Sequence, residues 1–192
     1  MNQDSQRYHR RSIRLKGYDY RTPAMYFITI RTYNRNCIFG NINNGRMLLN
    51  ISGKVVDFTW RDLPNHNPHL RLDEYIIMPD HMHGIIIITK PCIVKADSVG
   101  AGSEPAPTTP ANKLSFPMID NRLSIFNRQN PGIPDIIRQF KTFSARRVND
   151  VRKTQGSPVW QRNYYEHIIR NDRTLHRIRE YIIWNPCNWC GS

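Results

Sequence analysis

The run of isoleucines at Ile85–Ile88 constrains the fold of this chain more than any other feature of its sequence. A strand with one solvated face alternates polar and apolar residues, whereas this run has no polar face. It therefore predicts a central strand that is covered on both sides. The segment 70–79, also rich in β-branched and apolar residues, predicts a neighbouring strand.

The remaining periodic segments predict the partners of these two strands. They are strands at 24–33 and 158–169 and helices at 46–63, 133–152 and 171–185. Turn residues at 41–45 precede the first helix, and Asn171 or Asp172 can cap the last helix, which Pro186 ends. This order predicts an α+β fold in which helices flank an antiparallel sheet.

The chain of 192 residues suits a single compact domain spanning residues 1–192. A basic arm is predicted at about residues 1–21, and a flexible insertion rich in Pro, Gly and Thr at about residues 90–131. Neither side of the insertion alone has enough apolar periodic segments for a complete core. We therefore expect both sides to form one domain.

The net charge favours a polyanionic partner. Against 15 Asp and Glu stand 28 Lys and Arg, a formal charge of +13, which points to nucleic acid before any membrane surface. No apolar run follows the basic N-terminus, so no secretory signal is predicted. The apolar stretch 75–88 is interrupted by Asp80, His81 and His83 and does not predict a membrane span. A cytoplasmic protein that can reach DNA is expected.

His81 and His83 are the first residues that indicate chemistry. Residues i and i+2 of a strand point to one face, so both imidazoles can converge on a divalent cation while Met82 points to the core. Two partly buried histidines in ordinary hydrogen bonds are the alternative. Their position at the start of a buried strand favours a function, because buried polar groups are costly without partners.

Tyr181 and Asn185 are the second such pair. At i and i+4 they share one face of the last helix, beside its apolar stripe. A tyrosine that packs its ring and leaves its hydroxyl in water is the alternative interpretation. Beside a metal on His81 and His83, however, the Tyr181 hydroxyl could attack a DNA phosphodiester, and Asn185 could supply a neutral oxygen ligand.

Residues 160–167 form a basic and aromatic segment with further candidates. Tyr164 and Tyr165 are rival nucleophiles, of which at most one can face the metal because adjacent strand residues point opposite ways. Both are also candidates for DNA contact, with rings that can stack on unpaired bases. Glu166 and His167 are predicted either to support the metal site or to have no catalytic part.

Basic residues elsewhere are predicted to contact DNA phosphates, although a run of charge is often only a solvated surface. These residues are Arg10, Arg11, Arg14, Lys16, Arg138, Lys141 and Arg162. Cys187 and Cys190 form a CxxC without the two further ligands that a zinc site needs, so they are interpreted as incidental thiols.

Four segments together resemble the single-tyrosine HUH transposases, in particular the REP-associated branch. They are RRSIRLKGYDYRTPAMYFITIRT, EYIIMPDHMHGIIII, VWQRNYYEHIIRND and REYIIWNPCNW. The resemblance implies a ferredoxin-like HUH endonuclease fold. It also implies that His81, His83 and Asn185 hold Mg²⁺ or Mn²⁺ and that Tyr181 is the nucleophile. Single-stranded DNA next to hairpins would be cut through a 5′-phosphotyrosine.

Two other functions stay open at the level of sequence. One is a non-catalytic protein that binds single-stranded DNA or hairpins on the same scaffold. The other is an RNA-binding protein or nuclease, which the charge permits. The sequence leaves open whether the chain is a monomer or a homodimer, and whether the tyrosine acts within its own chain.

Overall fold

The computed structural model describes residues 17–89 and 131–189. Most of the predicted basic arm and all but one residue of the predicted insertion lie outside the described residues. Arg10, Arg11, Arg14, Lys16 and Cys190 lie outside them as well.

The described part of the chain contains six strands and four helices. The strands are β1 (Ala24–Arg31), β2 (Gly40–Asn43), β3 (Arg46–Leu49), β4 (Leu70–Ile77), β5 (His81–Ile88) and β6 (Tyr165–Ile169). The helices are α1 (Ile51–Arg61), the single turn α2 (Leu63–His66), α3 (Ile133–Arg152) and α4 (Asp172–Trp184). Short 3₁₀ turns lie at Tyr33–Arg35 and Asn185–Asn188.

A four-stranded antiparallel sheet organises these elements, with the strand order β4-β5-β1-β6. The isoleucine run lies in β5, between β4 and β1, as its lack of a polar face predicted. Strands β2 and β3 form a separate hairpin. The predicted α+β class and the antiparallel sheet with flanking helices are confirmed.

One face of the sheet packs against α1 and α3, and we call it the core face. Tyr26, Ile28, Met82 and Ile86 point to this side and are at most 1% exposed. They join Trp60 of α1 and Phe140 of α3, whose rings meet edge to face at 5.1 Å. Gly84 also lies here, because a Cβ atom at this position would come within 2.5 Å of the Trp60 ring.

The opposite face, which we call the open face, is covered by α4 over part of its area. Phe27, Ile85 and Ile169 form a small apolar cluster with Ile182 of α4. Leu175 and Ile178 of α4 pack against the same cluster. The predicted apolar stripe of the last helix therefore does face the sheet. The remainder of the open face carries the polar residues described below.

Two predicted elements differ from the structure. The helix predicted from Arg46 begins only at Ile51, because Arg46–Leu49 is strand β3. Asn44 and Gly45 have φ values of 50° and 71°, which is the backbone of a tight two-residue hairpin turn. The strand predicted over 158–169 is regular only at Tyr165–Ile169, while Trp160 makes a single bridge to Thr32.

The last two long helices begin where capping chemistry places them. Helix α3 spans the predicted residues, with Pro134 in its first turn, where a missing N–H costs no bond. Asn171 caps α4 by accepting a hydrogen bond from the Thr174 N–H at 2.8 Å. Among the described residues, no helix is long and apolar enough to cross a membrane.

Candidate active site

A pocket of about 300 Å³ lies where β5 begins and α4 ends. It contains the predicted nucleophile Tyr181 and the three predicted metal ligands His81, His83 and Asn185. Its lining consists of Thr29, Arg31, Arg35, Asp80, His81, His83, Tyr181, Asn185, Asn188 and Trp189. All of the charged side chains in this set except the Asp80 carboxylate are potential cations, so the pocket favours an anion.

His81 and His83 lie side by side at the base of this pocket. Their ring centroids are 4.7 Å apart, and Met82 between them points into the core with no exposed surface. The alternation predicted for a strand is therefore observed. The His83 ring also stacks on Phe27 at 5.3 Å, which fixes the ring plane.

Each imidazole is held through its Nδ1 atom by an oxygen on the protein side. The Asp80 carboxylate accepts a hydrogen bond from His81 Nδ1 at 2.5 Å, and His83 Nδ1 lies 2.8 Å from Thr29 Oγ1. Asp80 is only 4% exposed. A proton kept on Nδ1 leaves the Nε2 lone pair available, which is the arrangement found around metal-binding histidines.

Tyr181 lies next to His83. Its hydroxyl is 3.2 Å from His83 Nε2, and the two ring centroids are 5.1 Å apart. The edge of the Tyr181 ring also meets Phe27, at 6.1 Å. Half of the side chain remains exposed. The tyrosine oxygen is thus held beside the histidine pair by a side chain that is half exposed.

The surroundings keep the His83 imidazole neutral. Burial, together with smaller effects of the nearby His81 and Arg31, lowers the pKa of His83 to about 3. A neutral imidazole has a lone pair to offer, whereas an imidazolium has none. The electrostatics of the pocket therefore agree with the hydrogen-bond pattern.

The remaining pocket residues close its sides. Asn185 lies one turn after Tyr181 and faces the same pocket, as the i, i+4 spacing predicted. Trp189, just after the 3₁₀ turn, lies 5.6 Å from the His81 ring. Arg31 and Arg35 add cationic groups at the rim.

The donor set fits a divalent cation with open coordination positions. The two imidazole rings are 4.7 Å apart, and both line the pocket together with Asn185. Within residues 17–89 and 131–189, no group of three His, Cys, Asp or Glu side chains is arranged as a metal site. A cation here would complete its shell with amide, water or phosphate oxygens, which suit Mg²⁺ and Mn²⁺.

A salt bridge fastens α4 to the sheet. Arg179 donates from Nε and an Nη atom to the two carboxylate oxygens of Asp73 on β4, at 3.0 and 2.5 Å. These bonds hold the pKa of Asp73 below its usual range. Because Arg179 lies two residues before Tyr181, this pair restricts how far the tyrosine can move from its own sheet.

The candidate residues on and just before β6 lie on different faces of the sheet. Tyr165 pairs with Thr29 and His167 pairs with Phe27, so both point to the open face. Glu166 pairs with Ile28, points to the core face and does not line the pocket. Tyr164 packs against the core instead. Of the two rival tyrosines, only Tyr165 is on the side of the histidines.

Lys141 has a different environment from the one predicted for a phosphate contact. Its ammonium donates to the backbone carbonyls of Gln161, Arg162 and Asn163 at 2.7 to 3.4 Å. Burial lowers its pKa to about 8. Lys141 therefore holds the segment before β6 in place, and the structure does not support a DNA contact for it.

The other two described cations remain on the surface. Arg138 donates to Asp135 at 2.7 Å within α3, and the side chain of Arg162 is exposed. Neither lines the pocket. Four pocket residues were not predicted from the sequence, because their places depend on strand pairing and on the last turn of the described chain: Thr29, Arg31, Arg35 and Trp189.

Comparison with known proteins agrees with this architecture. A solved REP-associated tyrosine transposase, bound to a REP hairpin, superposes with a TM-score of 0.50. The sequences are 15% identical, and the match covers 88% of this chain and 70% of that one. At this level of identity, the match shows that the two proteins share a fold.

Two curated proteins are similar to this chain in sequence. A Haemophilus influenzae protein described as "Uncharacterized protein" is 39% identical over 186 residues, or 95% of this chain and 91% of the relative. This chain belongs to the same family. A second protein of that organism, "Putative REP-associated tyrosine transposase", is 36% identical over 61 residues, 32% of this chain and 29% of that one.

The resemblance to REP-associated tyrosine transposases predicted from the four sequence segments is confirmed. No family model matches the chain.

Proposed function

We propose that this chain is a metal-dependent enzyme that cuts and rejoins single-stranded DNA through a transient covalent bond to Tyr181. One observation carries the proposal: the hydroxyl of the half-exposed Tyr181 lies 3.2 Å from Nε2 of the buried His83, whose ring lies beside that of His81. The surrounding pocket is lined by arginines and is open enough for a phosphodiester.

The reaction exchanges one phosphate ester for another. The Tyr181 oxygen loses its proton and bonds to phosphorus, while the bond from phosphorus to the 3′ oxygen breaks. That oxygen leaves and takes up a proton, which gives a free 3′ hydroxyl and a 5′-phosphotyrosine. A phenol with a pKa of about 10 is a better leaving group than an alcohol, so a 3′ hydroxyl can reverse the step without ATP.

His81, His83 and Asn185 would hold the cation. When bound, a divalent metal ion polarises a phosphoryl oxygen and neutralises charge that develops on it. Asp80 and Thr29 keep the two imidazoles oriented through Nδ1. Arg31 and Arg35 would contact the phosphates on either side of the scissile one.

The preferred substrate is proposed to be DNA with an unpaired segment beside a hairpin. The net charge of +13 supports a nucleic-acid partner. The solved transposase with the same fold is bound to a REP hairpin. Because His83 and Tyr181 touch within one chain, each chain would carry a complete site.

A covalent-adduct assay tests this proposal. The protein is incubated with end-labelled hairpin oligonucleotides with unpaired flanks and either Mn²⁺ or Mg²⁺, and a denaturing gel detects label that stays with protein. We expect a metal-dependent adduct with the native chain and none with Tyr181→Phe. Tyr165→Phe is the matched control, because that ring lies on the same face and is exposed to a similar extent.

The other results separate the alternatives. An adduct that survives Tyr181→Phe and disappears in Tyr165→Phe would move the nucleophile to Tyr165. Binding without an adduct for any hairpin or metal would favour the non-catalytic DNA-binding protein. Cleavage of RNA with no adduct would favour a nuclease that does not use the tyrosine.

A further inference from the structure

The part of the open face that α4 leaves uncovered carries two aromatic rings on one strand. On β6, Tyr165 and His167 both point to this side, and Tyr165 is 44% exposed, with His167 also exposed. The next residue with this orientation, Ile169, is only 3% exposed because α4 covers it. Helix α4 thus covers the end of β6 at Ile169 and leaves the open face of the strand uncovered at Tyr165 and His167.

A rigid neighbour supports the Tyr165 ring. Its edge meets Phe27 at 6.4 Å, and the same Phe27 ring stacks on His83 and meets Tyr181. Phe27 itself is 9% exposed and belongs to the small cluster under α4. Tyr165 is therefore not a loose surface side chain but one of three aromatic groups arranged around a single buried ring.

The positions of the two residues along β6 suit a stacking platform. Residues i and i+2 of a strand are roughly 6.5–7 Å apart and lie side by side on one face. Tyrosine and histidine rings both stack on unpaired bases, and a four-stranded sheet with exposed rings is a known way to hold single strands. Because β6 is an edge strand, a polynucleotide can approach from the side as well as from above.

The position of the platform relative to the pocket gives it a role. Tyr165 lies opposite Thr29, and Thr29 lies opposite His83 on the next strand. The Cα atoms of Tyr165 and His83 are thus two strand spacings, roughly 10 Å, apart. Arg31 lies further along the same side of β1 and is exposed. A DNA strand whose bases stack on these two rings of β6 would pass Arg31 as it enters the pocket.

We propose that Tyr165 and His167 form a stacking shelf for the unpaired nucleotides next to the phosphate that Tyr181 attacks. The occupant is single-stranded DNA, which the proposed function requires and the cationic pocket complements. The shelf binds by ring stacking and so tolerates different bases. The Tyr165 hydroxyl has no part in this binding.

The test measures equilibrium binding in EDTA, where no covalent step takes place. Fluorescence anisotropy with a labelled oligonucleotide hairpin that has a single-stranded flank gives the dissociation constant. We expect Tyr165→Leu to weaken binding about tenfold, within the range for losing one base–aromatic stack. Tyr165→Phe should bind within about twofold of the native chain. His167→Leu should weaken binding less, because imidazole is the smaller ring.

Two controls address folding and general surface effects. Phe58→Leu removes a ring that is 48% exposed on α1, on the other side of the sheet, and should leave binding unchanged. Thermal unfolding of each variant establishes that it is folded. If Tyr165→Leu does not fold, Tyr165→Ser tests the loss of the ring instead, and removal of single bases from the DNA tests the same stack from the other side.

An abasic scan locates the shelf on the DNA. Removing one base at a time from the flank keeps the phosphates and deletes a single stack. With the native chain, we expect loss of affinity at one or two adjacent positions. In Tyr165→Leu, the abasic site at one of these positions should cause no further loss, because its stacking partner is already absent.

Several outcomes would overturn the shelf. They are unchanged binding in Tyr165→Leu, equal weakening in Tyr165→Phe, a flat abasic scan, no binding of the native chain, or clearly tighter binding of the matched RNA. These outcomes are distinct from failure of the proposed chemistry. A normal covalent adduct with a flat scan would reject the shelf alone, whereas a position-specific scan without any adduct would reject the chemistry alone.

Discussion

The two faces of the same sheet are made from alternate residues of the same strands, yet they differ sharply in what they contact. On the core face, Tyr26, Met82 and Ile86 are completely buried between the sheet and two helices. On the open face, a single helix covers part of the surface, and Tyr165 and Tyr181 remain about half exposed. One face holds the fold together, and the other presents the candidate chemistry.

This difference shows how the histidine pair is fixed in place. Strand residues alternate between faces, so a shift of one residue would exchange the two sets of side chains. Met82 on the core face, between His81 and His83, makes such a shift costly. The position of the histidines is thus determined largely by apolar contacts on the side of the sheet that faces away from the pocket.

The largest expected effect is on the core face. Phe140→Ala removes a completely buried ring that packs against Trp60 and Trp160, so we expect unfolding to become about 3–5 kcal/mol more favourable. Urea denaturation measures this change. The matched variant Phe58→Ala, with its ring half exposed, should cost about 1 kcal/mol or less. Equal losses in the two variants would contradict the assignment of Phe140 to the buried core of that face.

A smaller effect is expected on the open face, where it should alter binding rather than folding. Asp80→Asn keeps the shape of the side chain but weakens its hold on His81 Nδ1. We expect affinity for Mn²⁺ to fall about 10–100-fold. Isothermal titration calorimetry measures it, with Asp57→Asn on α1 as the control. An unchanged dissociation constant for Mn²⁺ would show that Asp80 does not orient His81 for metal binding.

The smallest effect is expected at the link between α4 and β4. Asp73→Asn breaks the pair with the partly exposed Arg179 and should cost about 1 kcal/mol or less. The pKa of Asp73 is lowered in the folded state, so this stabilisation is present above the unfolded pKa of about 3.9. It is lost as the pH falls through the folded pKa.

Urea denaturation at pH 7 and below pH 3 tests this dependence. The difference between Asp73→Asn and the native chain should shrink as the pH falls. Asp135→Asn is the control, because its partner Arg138 is exposed and belongs to the same helix. A difference that persists below pH 3 would mean that the carboxylate charge is not its source.

Regular periodicity made most of the fold predictable. The isoleucine run gave a central strand, and α3 and α4 followed from apolar spacing and from Asn171 as a cap. The hairpin of β2 and β3 was missed because Leu48 and Leu49 also fit a helical spacing with Val55, Val56 and Trp60. The Asn44-Gly45 pair was the local signal for a tight turn, and it outweighed that spacing.

The candidate site was predictable only where its residues are close in sequence. His81 with His83, and Tyr181 with Asn185, follow from the periods of one strand and one helix. Thr29 reaches His83 through pairing between β1 and β5, and Asp73 meets Arg179 through the packing of α4. Such contacts between distant segments depend on tertiary structure, which a single sequence does not display.

The central place of β1 in the sheet has a consequence for folding during synthesis. One of its neighbours, β5, follows within the same half of the chain, but the other, β6, pairs Ile169 with Met25, roughly 140 residues earlier. Long-range pairings of this kind form late. During synthesis, β5 with His81 and His83 therefore leaves the ribosome well before β6 and α4, which carries Tyr181. The nascent chain would thus build its core face first and complete the candidate site only near the end of translation.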